Sequence, residues 1–268
     1  MNSNLVLTML LTLDIGNTNI AFGVFDQKKD GYEVTPKATW RIASEIGRMS
    51  DEYSVMLRNL LLLKGIEPGD IKAVILCSGV PPLTKVFVDL CSIYFGIDPL
   101  IVGTGIKTGI RILYDNPRDV GSDRICDAVA TLKLYGGPAI IVDFGTATVF
   151  DAVSGESDYL GGAIAPGVNV SADALFHNAS QLRRVELARP SSAIGKNTVH
   201  AMQSGLVLGY ADMVKGMISR FDIEMGGGCK VVATGGLADL IEQELEMFDV
   251  VNPDLTLVGL CIIYCLNS

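Results

Sequence analysis

Leu10-Leu11-Thr12-Leu13-Asp14-Ile15-Gly16-Asn17-Thr18-Asn19-Ile20-Ala21-Phe22 decides how this chain is read. An apolar run closes on an aspartate, a glycine and small amide or hydroxyl residues follow, and a second apolar run returns. That order describes a strand, a tight turn and a returning strand, with a carboxylate at the bend. Asp143-Phe144-Gly145-Thr146-Ala147-Thr148 repeats it, close to half of the 268 residues downstream. The repeat implies a duplicated α/β domain with one phosphate-handling hairpin in each half and a nucleotide in a cleft between them.

Working outward, Leu5 to Leu13 and Ile20 to Phe25 form the first hairpin, and Ala38 to Ile42 a third strand. Ser50 is the expected N-cap of a helix running to about Lys64 and ended by Gly65. A buried strand from Ile71 to Cys77, a helix from about Leu83 to Tyr94 and a strand near Leu100 to Val102 complete the first half. Ser122 and Asp123 can cap a helix from about Arg124 to Tyr135. The second half repeats the hairpin from Ala139 to Val153, adds a strand near Tyr159 to Ile164 and enters a helix after Pro166-Gly167. Met202, Leu206, Tyr210, Met213, Met217 and Phe221 have the spacing of one long helix, on which Gly205 and Gly209 permit close approach of another backbone. Pro253 opens a last apolar helix. Without a low-complexity linker, two tightly packed halves are expected, at residues 1–120 and 121–268, each a mixed sheet flanked by helices.

Hydrophobic residues make up 49% of the chain and charged residues 19%, ample material for a core. A mean hydropathy of +0.38 points to further burial between subunits. The net charge of −9 argues against a nucleic-acid or anionic-membrane partner. Six cysteines without a CxxC pair, and only two histidines, fit buried thiols in a reducing cytoplasm better than a zinc site. The N-terminal apolar run lacks a basic flank and a cleavage site and is too short to span a membrane, so no signal peptide is expected.

Chemistry gathers at three places. In the first hairpin Gly16 lets the backbone approach an anion, while Asn17, Thr18 and Asn19 offer donors to phosphate oxygens. Asp14 cannot bind phosphate but can hold Mg²⁺ through water. In Gly121-Ser122-Asp123-Arg124, Asp123 can accept the proton of an attacking hydroxyl and Arg124 can hold an anion with its planar fork of donors. The same pair could equally cap a helix and form a surface ion pair. Thr234-Gly235-Gly236 joins a strand to a helix and leaves room for a flat base or ribose.

Two hairpins and then a Gly-Gly turn follow the order of the actin, heat-shock chaperone and sugar kinase ATPase fold. More narrowly, five stretches in register resemble type III pantothenate kinase from Met9 onward. They are Asp14-x-Gly-Asn-Thr-Asn, Tyr114-Asp-Asn-Pro with Val120-Gly-Ser-Asp-Arg, Asp143-x-Gly-Thr-Ala-Thr, Gly161-Gly-Ala-Ile-x-Pro-Gly, and Gly195-x-Asn-Thr. Ser122 stands where the family often has alanine, and Val149 where a second threonine is common.

The resemblance implies duplicated ribonuclease H-like, actin-like ATPase domains and transfer of the ATP γ-phosphate to pantothenate, which begins coenzyme A synthesis. It makes Asp123 the proton acceptor. Asp14, Ile15, Gly16, Asn17, Thr18, Asn19, Ile20 and Ala21, with Thr146, become ATP phosphate contacts. Tyr114, Gly121, Ser122, Asp123, Arg124 and Thr198 line the pantothenate pocket, Thr198 from a partner subunit. Asp143 becomes the ligand of a monovalent cation, K⁺ or NH₄⁺. The expected protein is a cytoplasmic homodimer that uses MgATP. A regulatory nucleotide-binding module and a kinase for a sugar or short-chain acid are the competing readings.

Overall fold

Leu11, Leu13 and Ile15 alternate along one strand with Leu10, Thr12 and Asp14, so two kinds of residue leave opposite faces of the sheet. The computed structural model describes residues 8–28, 31–179 and 182–268, which leaves Leu5 to Leu7 of the expected first strand outside the description. The first sheet is built from β1 (Met9–Ile15), β2 (Asn19–Lys28), β3 (Gly31–Tyr32), β4 (Ala38–Ala43), β5 (Ile71–Ser78) and β6 (Leu100–Ile101). Between these strands lie α1 (Ser50–Leu63) and α2 (Pro81–Leu90). Next come β7 (Arg111–Ile112), α3 (Ser122–Tyr135), β8 (Ala139–Phe144), β9 (Ala147–Val153) and β10 (Asp158–Pro166). The chain ends with α4 (Val168–Asn178), α5 (Thr198–Gln203), α6 (Gly209–Glu224), β11 (Lys230–Gly235), α7 (Ala238–Leu245), β12 (Val250–Val251) and α8 (Leu255–Asn267).

The first sheet runs β3-β2-β1-β5-β6, with β4 also on β2, and the second runs β12-β11-β8-β9-β10-β7. In both, a hairpin strand pairs parallel with a later strand: β1 with β5 and β8 with β11. That shared plan is the duplication anticipated from the repeat. One compact unit takes Met1–Gly109, Asn116–Ala130 and Asp254–Ser268, and the other Ile110–Asp115 and Thr131–Pro253. The last helix thus returns to the N-terminal sheet, where α8 packs on β1, β2 and β5.

The alternation sorts each face of the first sheet. Leu11, Leu13, Ile15, Phe22, Val24, Val74 and Leu76 join Tyr53, Leu57, Leu61, Leu83 and Phe87 of α1 and α2 in one core. Trp40 and Ile42 of β4 pack on the same side, Trp40 stacked on Phe22 at 5.5 Å. The opposite face carries Asp14 and receives α8, with Gly23 against Leu257. In the second unit Ile140, Val142, Phe144 and Phe150 pack against Tyr210, Val214 and Ile218 of α6 and against Ile241 of α7.

Several boundaries differ from those expected. Met49, not Ser50, precedes α1; its amide donates to Glu52 Oε2 at 2.8 Å, so the glutamate three residues on does the capping. The helix expected to reach Tyr94 widens into a π-type turn over Cys91–Phe95 and ends on left-handed Gly96. The long helix after Asn197 is likewise divided, by a π-type turn over Ser204–Leu208. No neighbouring atom lies within 4 Å of a side chain built on Gly205 or Gly209, so within the described residues no backbone approaches either.

Candidate functional site

Pairing of the strands places Arg41, Ala21, Asp14 and Cys77 in one row across β4, β2, β1 and β5. Residues directly paired share a face, so all four sit on the side away from the α1 and α2 core. Cys77 Sγ donates to Asp14 Oδ1 at 3.3 Å. The Asp14 carboxyl is pushed up from 3.8 to about 6, first by burial and then by the negative charge of Asp123. The Cys77 hydrogen bond and the positive charge of Arg41 act in the opposite direction. The Cys77 thiol is held well above its ordinary value by a hydrogen bond with Cys126 first, then by burial and the two carboxylates. Burial raises the Cys126 thiol too, so both thiols are protonated, and both feel the charge of Asp14 and Asp123.

After Asp14 the chain turns through Gly16, Asn17 and Thr18, whose side chains are on the surface at Asn17 and Thr18. Gly16 N donates to Asn19 O at 3.1 Å, and a side chain at Gly16 would meet that oxygen at 2.9 Å. The turn is fastened from β4's end: Ser44 Oγ donates to Gly16 O at 2.6 Å and Ser44 N to Thr18 O at 2.9 Å.

Asp123 comes from the first turn of α3. The helix begins at Ser122, two residues before the expected start, so Ser122 and Asp123 lie inside it rather than capping it. Asp123 is exposed and its Oδ1 accepts the Arg124 amide at 2.9 Å, while Arg124 itself is only 8% exposed. A side chain at Gly121 would collide with Asp123 Oδ1, so this glycine makes room for the carboxylate. Deeper in α3, Cys126 is fully buried, and Gly259 of α8 crosses it too closely for any side chain.

The second hairpin is shorter: Gly145 and Thr146 alone join β8 to β9, and Gly145 N donates to Ala147 O at 3.0 Å. Asp143 lies between Val149 of β9 and Thr234 of β11. Gly235 has φ +90, and a side chain there would lie 2.6 Å from both Asp143 Oδ1 and the Phe144 backbone. This glycine is required by Asp143 itself. Gly236, in contrast, has open space before it, which keeps one of the two glycines available to a flat ligand. Gly167 packs against the carbonyls of Gly145 and Thr146, and Tyr210 hydrogen-bonds Thr148, so the hairpin is braced from behind.

Tyr114 is held on β10. Arg111 donates from Nε and Nη2 to Asp158 at 2.6 and 2.8 Å, and Leu113 N donates to Tyr159 O at 2.8 Å. The Tyr114 ring then lies 6.3 Å from that of Tyr159, whose hydroxyl donates to buried Asp151 at 2.7 Å. Thr198 opens α5, where Asn197 Oδ1 accepts the His200 amide at 2.9 Å and Gly195 lies flat on the first turn. It lines an apolar cavity of about 420 Å³ with Leu175, Leu182, Ala201, Met202, Gly205 and Leu206.

The structure thus brings residues 14–21 and 121–124 into one unit, and Tyr114, Asp143, Thr146 and Thr198 into the other. Arg41, Cys77 and Cys126 were not singled out from sequence. Strand register brings Arg41 and Cys77 to Asp14, and α3 brings Cys126 to Cys77.

A family model described as type III pantothenate kinase matches residues 10–220. A type III pantothenate kinase of Moorella thermoacetica is 51% identical over 260 residues, 97% of this chain and 100% of that protein. Another, of a Roseiflexus species, is 50% identical over 259 residues, 97% of this chain and 99% of its own. Among solved structures, a Baf family transcriptional activator of Campylobacter jejuni superposes with a TM-score of 0.60 at 17% identity, covering 96% of this chain and 98% of that one. That likeness is one of fold.

Proposed function

The chain belongs to the type III pantothenate kinase family, which phosphorylates pantothenate at the head of coenzyme A biosynthesis, and we propose that Asp123 is the base of this transfer. The observation that carries the assignment is the placement of Asp123 at the open end of α3, its charge felt by Asp14 at the mouth of the phosphate hairpin. In this reading the ATP phosphates lie along residues 14–21 and Thr146. Pantothenate contacts Tyr114, the Gly121–Arg124 turn and, from a second copy of the chain, Thr198. Arg124 holds the pantothenate carboxylate, and Asp123 orients the primary hydroxyl and takes its proton as the oxygen attacks the γ-phosphorus. Because the transition state is loose, positioning and charge stabilisation supply most of the acceleration.

The donors around Asp14 suit a water-bridged Mg²⁺. Burial, and after it the charge of Asp123, lifts its pKa, and a cation beside it would favour the ionised form. Among the described residues no group of three or more His, Cys, Asp or Glu could hold a metal unaided, which leaves phosphates and water to complete the shell. Mg²⁺ held there would neutralise charge on the phosphates. Asp143, seated over Gly235, is the proposed ligand of K⁺ or NH₄⁺. The protein is proposed to act as a cytoplasmic homodimer, supported by the apolar cavity beside Thr198. Among the described residues no helix is long and apolar enough to cross a membrane.

Asp123→Asn tests the base. Turnover is expected to fall about 10²–10⁴-fold with MgATP affinity retained. Near-normal turnover would remove Asp123 from the chemistry.

A further inference from the structure

The row Arg41–Ala21–Asp14–Cys77 places a guanidinium on the carboxylate face of the first sheet, and nothing in the reaction described so far uses it. Alternation on β4 settles the direction: Trp40 and Ile42 pack into the α1 and α2 core, so Arg41 leaves by the other face, as Asp14 does. Ala21 stands between them in the row and adds only a methyl group there. Neighbouring strands are about 4.8 Å apart, so β4 lies about 10 Å from β1, a gap that an arginine and an aspartate together span. The charge of Arg41 does reach Asp14, whose ionised form it favours.

Three further features point outward to a ligand. Arg41 is exposed, so a solute can approach its guanidinium. It precedes Ser44, which ties the end of β4 to the Gly16–Thr18 turn at 2.6 and 2.9 Å. Asp14 and Asp123 also concentrate negative charge where a further anion must arrive, and a guanidinium is the side chain suited to receive phosphate oxygens in that setting.

We propose that Arg41 is a catalytic residue of the phosphoryl transfer, its guanidinium reaching over Ala21 to the γ-phosphate of ATP beside Asp14. The pantothenate oxygen bonds to the γ-phosphorus as the bond to the β–γ bridging oxygen breaks. The hydroxyl proton passes to Asp123 and ADP departs. Arg41 donates to non-bridging γ-oxygens throughout and keeps its own proton. The proposal rests on the reading of residues 14–21 as the phosphate hairpin.

The test compares Arg41→Ala, Arg41→Lys and Asp14→Asn in the full-length protein. For Arg41→Ala, kcat/KM for ATP falls about 10²–10³-fold, as for loss of one preorganised donor to a transition state. The KM for pantothenate stays within about 3-fold, and millimolar guanidine restores part of the rate. Calorimetry with a non-hydrolysable MgATP analogue and with MgADP gives the decisive contrast. A γ-phosphate contact weakens binding of the analogue and spares ADP. Equal losses for both nucleotides, or an absence of guanidine rescue, would overturn the proposal and reduce Arg41 to a neutraliser of Asp14. Asp14→Asn is the control on the underlying reading: if it leaves the Mg²⁺ dependence untouched, the hairpin assignment fails whatever Arg41 does. Arg41 is exposed on β4, and matched melting curves establish that its variants fold.

Discussion

Asp14 carries a cost that the empty protein should display. Its folded pKa of about 6 lies above the ordinary 3.8, so the folded state prefers the neutral acid. The stability this supplies is fully present below about pH 4 and is lost as pH rises through 6. Asparagine mimics the neutral form at every pH. Without metal or nucleotide, Asp14→Asn should therefore melt above wild type at pH 7.5. The advantage should shrink by about 1–1.5 kcal/mol by pH 5, where wild type has regained most of its proton. Thermal denaturation at both pH values checks this, and a pH-independent difference would count against burial as the cause. Asp14 and Asp123 were legible in the sequence because each sits in a short motif whose residue types limit its chemistry. Arg41 and Cys77 were not, because their meeting depends on the Ala21–Arg41 and Asp14–Cys77 register, which no local pattern specifies. Gly235 was read as room for a ligand, whereas its positive φ and its contact with Asp143 show that the carboxylate itself needs it.

At the scale of elements, both hairpins were legible because a β-type run, a glycine turn and a returning run have few other solutions. Their difference was not: the second turn is one residue shorter than the first, and strand pairing alone shows where each turn ends. The interruptions at Cys91–Phe95 and Ser204–Leu208 were hidden for a related reason, since a π-type turn keeps the apolar spacing nearly helical. The second interruption shapes the groove between α4 and the α5 turn. Leu175 is 40% exposed there, facing a lining that is almost wholly apolar. Covering by a second copy of the chain makes a definite prediction. Sedimentation equilibrium should give a mass about twice the 28.6 kDa of one chain, and Leu175→Glu should return it toward the single-chain value. A wild-type protein of single-chain mass would contradict the dimer.

For the molecule as a whole, two sheets of like plan, each with an aspartate near the end of its first hairpin strand, follow from one duplicated sequence pattern. The copies have since diverged in use. The first gathers Asp14, Asp123 and Arg41, with Asp14 and Arg41 in one row and Asp123 at the start of α3, and the second seats Asp143 over Gly235. The return of α8 to the first sheet was beyond the sequence, where the last apolar helix carries no mark of its partner. The most direct measurement is the formation of ADP and phosphopantothenate from MgATP and pantothenate, followed with K⁺ and with Na⁺ at equal ionic strength. The account predicts equal amounts of both products and a rate raised by K⁺. ATP binding without either product, in any monovalent salt, would contradict it.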